Sequence, residues 1–496
     1  MIHPSESSFQ SSFSKFRLQI IETDVILLLF IALVYTSVYY LQPTLGLIIN
    51  ILIAIYCYRS KHHLILLFLF VVLNSRLNNM IDINQLPRIS RGGNSISLID
   101  LLDLAMWIKV LKHYKIILNS LFGKNLIMVF FVLVIAVAFN AIITGIDVKM
   151  AIYFIRAYSY YICYFYVLLF VKDSTDFTFI LKITFFISCL VLANQISLVF
   201  SGKELNTILF GHEQVYQTEG AMFTRYTGDY LSDKSRGIMY DGQDPLLLLI
   251  CSLTLFGLYR DRILRNMMIT SIIFVIMSGL IEATRSYIVF ISLPLIAFMR
   301  NVKNMFHMSR ILLTTVILML VVFIIIGGFG YAYFHDIFLR LSGLIKFINS
   351  NTRGDVETAI GRLNAAKIMI DVIVQSPLIG HGFSQEAQAT DNDLGFLNTI
   401  ILTGFIGLLV FIYIIFKYFS ICLSILRRIA VHNPFRISIY VLLYAMVGIF
   451  IGYSTIQDFF SSSNQNIAFI SIFLGFSEII FFKALDYEKN FQHADK

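Results

Sequence analysis

Three arginines stand beside glycines or in a short turn between apolar runs. Arg236 precedes an apolar run in Ser235-Arg236-Gly237, Arg285 occupies the short turn Glu282-Ala283-Thr284-Arg285-Ser286, and Arg362 follows Gly361. A guanidinium is planar, permanently charged and forked, and it matches two phosphate oxygens at once. Gly237 beside Arg236 lets backbone approach such a ligand closely. Carboxylates accompany the arginines: Glu282 in the same turn as Arg285, Asp241 after Tyr240, and Asp391 and Asp393 ahead of a later apolar run. Each also has a plainer reading. Arg236 can snorkel at a membrane edge, Glu282 and Arg285 can pair locally, and Asp241, Asp391 and Asp393 can cap the helices they precede. A further constellation is Ser376-Pro377-Leu378-Ile379-Gly380-His381-Gly382, where Gly380 and Gly382 suit a tight turn and a single histidine is more often structural than catalytic. No cluster of His, Cys and carboxylates stands at metal-ligand spacing, and no P-loop or GxGxxG is present.

The elements that must hold these residues follow from composition. Of 496 residues 58% are hydrophobic and only 14% charged, with a mean hydropathy of +0.79. A soluble globule needs more polar surface than that, so a soluble enzyme and a disordered chain are both excluded. The runs are continuously apolar where barrel strands would alternate, which excludes a membrane β-barrel. An all-α, polytopic membrane protein of twelve to fourteen spans is expected, forming one membrane domain over 1–496. Candidate spans lie near 25–41, 44–58, 64–75, 98–111, 126–143, 151–171, 178–200, 241–259, 267–281, 286–299, 311–334, 394–416, 437–456 and 466–482. Several are shorter than the roughly 20 residues of a full crossing. The five cysteines lie within or at the edges of these runs without a CxxC pair and read as small hydrophobes. The polar, Ser-rich start lacks a cleavage pattern after the first run, so an uncleaved first span is expected.

With fourteen crossings and both termini cytoplasmic, 23 of the 38 Lys and Arg fall inside. Most of the others belong to two long outer loops, 201–240 and 335–393, whose length largely exempts them from the positive-inside rule. The net charge of +8 is then a girdle for anionic lipid headgroups, and no nucleic-acid partner is needed to explain it. Loop 201–240 holds Arg225, Tyr216, Tyr226 and Tyr230 and ends at Tyr240, aromatic faces on which sugar rings stack. Loop 335–393 carries apolar residues at helical spacing, Ile337 to Ile348 and then Ile360, Leu363, Ile370 and Val374, which predicts two amphipathic helices lying over the membrane.

Gly361-Arg362, a helix, Pro377, Gly380-x-Gly382, a polar turn, and a span containing Gly404 and Gly407 together resemble the motif of O-antigen polymerases and O-antigen ligases. Arg236-Gly237 before a span and Thr284-Arg285-Ser286 at a turn extend the likeness, which covers residues 150–460 in layout. The resemblance implies a bacterial inner-membrane glycosyltransferase that joins polyprenyl-pyrophosphate-linked oligosaccharides at the outer face. It needs no cofactor and no metal, and a chain-length regulator is a partner it admits. Arg236, Arg285 and Arg362 would meet the leaving diphosphate. The acceptor's proton would go to Asp391, Asp393, Glu282 or Asp241, among which the sequence does not choose. Arg225, Gly237, Tyr240, Asp241, Gly380, His381 and Gly382 would line the substrate. Ligases typically place His-Asn where this chain has Asp391-Asn392, which favours a polymerase. A flippase for lipid-linked oligosaccharides, the competing class, would have short loops and an internal repeat.

Overall fold

The computed structural model describes residues 43–60, 63–74, 89–91, 94–96, 98–144, 158–172, parts of 176–193, 243–259, 262–282, 286–301, 366–381, 395–455 and 464–494. Helices dominate. In chain order they are α1 (Pro43–Arg59), α2 (Leu64–Asn74), α3 (Leu98–Leu111), α4 (Tyr114–Asn119), α5 (Gly123–Thr144), α6 (Ile162–Phe170), α7 (Gln243–Tyr259), α8 (Arg262–Glu282) and α9 (Ser286–Asn301). After them come α10 (366–375), α11 (Gly395–Arg428), α12 (Phe435–Thr455) and α13 (Asn464–Ala494). The expected runs at 25–41 and 311–334 lie outside the described residues. One departure from an all-α reading is an antiparallel pair between α2 and α3, β1 (Ile89–Arg91) with β2 (Asn94–Ile96), in which Arg91 faces Asn94. The two intervening residues are Gly92 and Gly93, the pair that two-residue hairpin connections favour, a local signal that hydropathy does not register.

Among the described residues, two helices, α11 and the stretch Ile467–Gln492 of α13, are long and apolar enough to cross a membrane. Both run past the apolar windows 394–416 and 466–482 that announce them. The α11 extension buries Tyr418, Cys422, Ile425 and Leu426 in the protein core, so packing and not the apolar run sets its length. α9 lies along α12, α6 along α13, and α7 contacts both α8 and α12. The core around α6 is aromatic: Tyr158, Tyr160, Tyr161, Tyr164 and Tyr166 are all fully buried.

A polar knot ties four elements where α5 begins. Glu478 of α13, fully buried, accepts the backbone N–H of Leu121 at 2.7 Å and of Phe122 at 3.4 Å, and it also accepts the Tyr164 hydroxyl. Those amides stand at the mouth of α5, where helical N–H groups lack intrahelical partners. Lys417 of α11 donates to the Leu121 carbonyl and to Asn125 Oδ1, while Tyr418 donates to Ser477 Oγ at 2.9 Å. Glu478→Ala leaves the Leu121 N–H and the Tyr164 hydroxyl without the acceptor they share, at about 1–3 kcal/mol each, while the Phe122 N–H keeps Tyr164 Oη at 3.2 Å. A clear fall in thermal unfolding temperature in detergent is expected, with Glu478→Gln losing less because an acceptor oxygen remains. An alanine variant as stable as wild type would show that the knot bears no weight.

Candidate functional site

The Pro377-to-Gly404 segment of the motif is where the described structure and the sequence-marked residues coincide. α10 packs Met369 and Ile373 onto Ile400, Ile401 and Leu408 of α11. Ile370 and Val374, the apolar positions that sequence periodicity marks, are exposed, and the residues that pack on α11 lie one position round the helix from them. The reason is tertiary, since α11 approaches α10 from the side of 369 and 373.

After α10 the chain turns at Ser376 and Pro377, and the turn enters a break in α11. Gly404 has φ +68° and ψ −175°, non-helical values inside what is otherwise one long helix, and Gly380 opposite it has φ +77°. Both conformations belong almost exclusively to glycine. In an unbroken helix the Phe405 N–H would donate to the Ile401 carbonyl four residues back. Here the turn takes both groups. The Phe405 N–H donates to the Pro377 carbonyl at 2.9 Å, the Ile406 N–H to the Leu378 carbonyl at 3.3 Å, and the Ile401 carbonyl accepts from the His381 N–H at 2.6 Å. Ser376 Oγ donates to the Gly380 carbonyl at 2.8 Å, closing the turn on itself. A Cβ on Gly380 would lie 2.5 Å from the Gly404 nitrogen, so the two backbones touch because neither residue has a side chain.

His381 is nearly buried, and its ring nitrogen Nε2 lies 2.6 Å from the Val372 carbonyl. A carbonyl can only accept, so Nε2 carries the proton and the ring locks the turn to α10. Its described bonds are thus all internal, and they hold the turn in place.

Among the other marked residues, Glu282 is the last residue of α8, and Arg285 falls in the three-residue connection to α9. Arg225, Arg236, Gly237, Tyr240, Asp241, Arg285, Arg362, Gly382, Asp391 and Asp393 lie outside the described residues. Sequence reasoning missed Glu478 and Lys417. The signal for Glu478 was there: it is the sole charge in the run 466–482, and an ionisable residue inside a span is rarely idle. Compared with known proteins, the chain matches no model of a protein family and no curated protein.

Proposed function

We propose that this protein is a glycan polymerase of the bacterial inner membrane. It transfers a growing chain from its polyprenyl pyrophosphate carrier to the next lipid-linked repeat unit at the outer face. The observation that supports this reading is the interlock of Gly380 with Gly404. Residues that in sequence form two separated halves of one motif are in space a single backbone unit, and in the sequence Arg362 precedes this unit's first half while Asp391 and Asp393 lie between its two halves. A broken helix within an apolar element is tolerated where it is packed in protein or lines a cavity, which is where a polar lipid-linked head would have to be handled.

In this reading the chain crosses the membrane twelve to fourteen times with both termini in the cytoplasm and loops 201–240 and 335–393 outside. Support comes from the inward bias of Lys and Arg, and from the exposed apolar side chains of α11, Leu409, Tyr413 and Phe416, which suit lipid. The acceptor hydroxyl oxygen forms a bond to the donor sugar's C1 as the bond from C1 to the carrier diphosphate breaks. The hydroxyl proton passes to a carboxylate drawn from Asp391, Asp393, Glu282 or Asp241. Arg236, Arg285 and Arg362 meet the charge developing on the diphosphate, which is most effective when the cations are already in place. Direct displacement by one base inverts C1, whereas retention ordinarily needs a second carboxylate as nucleophile. Energy is already stored in the diphosphate linkage, so no nucleotide motif is required.

Purified protein in detergent, given lipid-linked repeat units in the presence of EDTA, is expected to build a ladder of longer glycans with inverted linkages. Failure to elongate any lipid-linked repeat unit would overturn the polymerase reading. A requirement for added Mg²⁺ would overturn the arginine-based account of the leaving group.

A further inference from the structure

A second cationic site lies where α1, α2, α3 and α6 meet, on residues the transferase reading does not use. Lys109, near the end of α3, is buried to 7% exposure. Its ammonium lies 3.4 Å from the Cys57 carbonyl and 3.1 Å from His63 Nδ1, and 5.6 and 6.0 Å from the ring centres of Tyr58 and Phe170. Lys112, one turn on and exposed, donates to the Tyr58 hydroxyl at 2.6 Å and stands 5.2 Å from the same ring. The His63 and His113 rings both lean on Phe170, with centroids 4.5 and 6.4 Å away.

The neighbours of Lys109 are neutral: a carbonyl, an imidazole nitrogen acting as acceptor, and two aromatic faces. Among the described residues neither Lys109 nor Lys112 has a carboxylate partner, and the surrounding sequence, Arg59-Ser60-Lys61-His62-His63 and Lys115, adds only positive charge. Buried cations are ordinarily paired, because neutral dipoles replace only part of the hydration they lose. Tyr58 Oη accepts from Lys112 and keeps its own proton to donate. Two ammonium groups and a phenol O–H thus share one ring, a donor set for a compact anion with several oxygens.

We infer that this junction binds a phosphate group, either the headgroup phosphate of an anionic phospholipid or a free phosphate. Basic pockets between membrane helices recognise lipid headgroups with this chemistry. Lys109 forms the fixed inner contact, held by Cys57, His63 and the two rings, and Lys112 with Tyr58 closes the outer side. The inference stands apart from the transferase reading, and each can fail without the other.

The test uses the full chain purified in detergent, its thermal unfolding titrated with short-chain phosphatidylglycerol, with phosphatidylcholine, and with inorganic phosphate against chloride at equal ionic strength. Phosphatidylglycerol is expected to stabilise the wild type more than phosphatidylcholine does. Lys112→Ala should weaken that binding about fivefold, roughly the effect of one basic residue at a membrane surface. Lys109→Gln with Lys112→Ala should remove it. Lys112 is exposed, so its variant tests the site without threatening the fold. Stabilisation by inorganic phosphate of the same size, lost in the same variants, would support the site with a soluble anion as its ligand. Equal responses to both lipids and to both salts, or an undiminished response in the double variant, would overturn it.

Discussion

Gly404→Ala is expected to expel the 376–381 turn from α11 and abolish any activity that depends on it. A Cβ at this position would lie 2.1 Å from the Leu378 carbonyl oxygen, 2.2 Å from its carbon and 2.4 Å from the Ile379 nitrogen. All three are backbone atoms, so no rotamer change relieves the overlap. At φ +68° and ψ −175° an alanine is also strained by about 1–3 kcal/mol before any contact is counted. Two outcomes are open to the chain, and both lose the turn. In one, α11 keeps its break and the turn is pushed away, leaving the Phe405 and Ile406 N–H groups and the Ile401 carbonyl without partners, at about 1–3 kcal/mol each. In the other, α11 straightens, Phe405 bonds Ile401 within the helix, and the His381 N–H is left without its acceptor. Amide exchange at Gly380 and His381 reports either outcome, and thermal unfolding separates them, because only the first lowers the stability of the bundle steeply. Leu409→Ala, on an exposed face of the same helix, serves as the control. Slow exchange at His381 in Gly404→Ala, equal to wild type, would mean that the two glycines do not interlock.

Replacing Arg236, Arg285 or Arg362 singly by alanine is expected to lower the rate of glycan elongation about 10²- to 10³-fold, the usual effect of removing one donor aimed at developing charge. Protein level in the membrane should hardly change, since the proposed role of these residues is toward substrate and not toward the core. Lysine in their place should restore only part of the rate, because an ammonium supplies charge without the two-pronged geometry that spans a pair of phosphate oxygens. The measurement is the rate at which lipid-linked repeat units enter the ladder, with the amount of purified protein as the check on folding. Full activity of all three alanine variants would return the arginines to ordinary membrane-edge residues. The Gly404 and arginine experiments probe different links: the first asks whether a backbone scaffold exists, the second whether the charge of these arginines performs chemistry.

Several helices were legible from hydropathy alone: the runs at 44–58, 64–75, 98–111, 267–281 and 437–456 became α1, α2, α3, α8 and α12 within a few residues at most ends. A continuous apolar run leaves the backbone little choice, because inside an apolar layer its N–H and C=O groups must satisfy each other along the same segment. The far ends of α11 and α13 were not legible, since a hydropathy window reads the thickness of an apolar layer and not the length of a helix. The motif residues Pro377, Gly380 and Gly404 could be picked out by type, and the turn at Gly380 follows from local conformational freedom. That Gly380 and Gly404 touch, that Ile401 gives up its helical partner to His381, and that Met369 and Ile373 rather than Ile370 and Val374 face the protein were decided only by tertiary packing. Glu478 and Lys109 show the same division. Each is visible in the sequence as a charge among apolar residues, but the groups that receive it come from other helices, the Leu121 and Phe122 amides for one and the Cys57 carbonyl and His63 ring for the other. Periodicity and propensity act over a few residues, whereas a hydrogen bond between positions hundreds of residues apart exists only once the whole chain has closed around it.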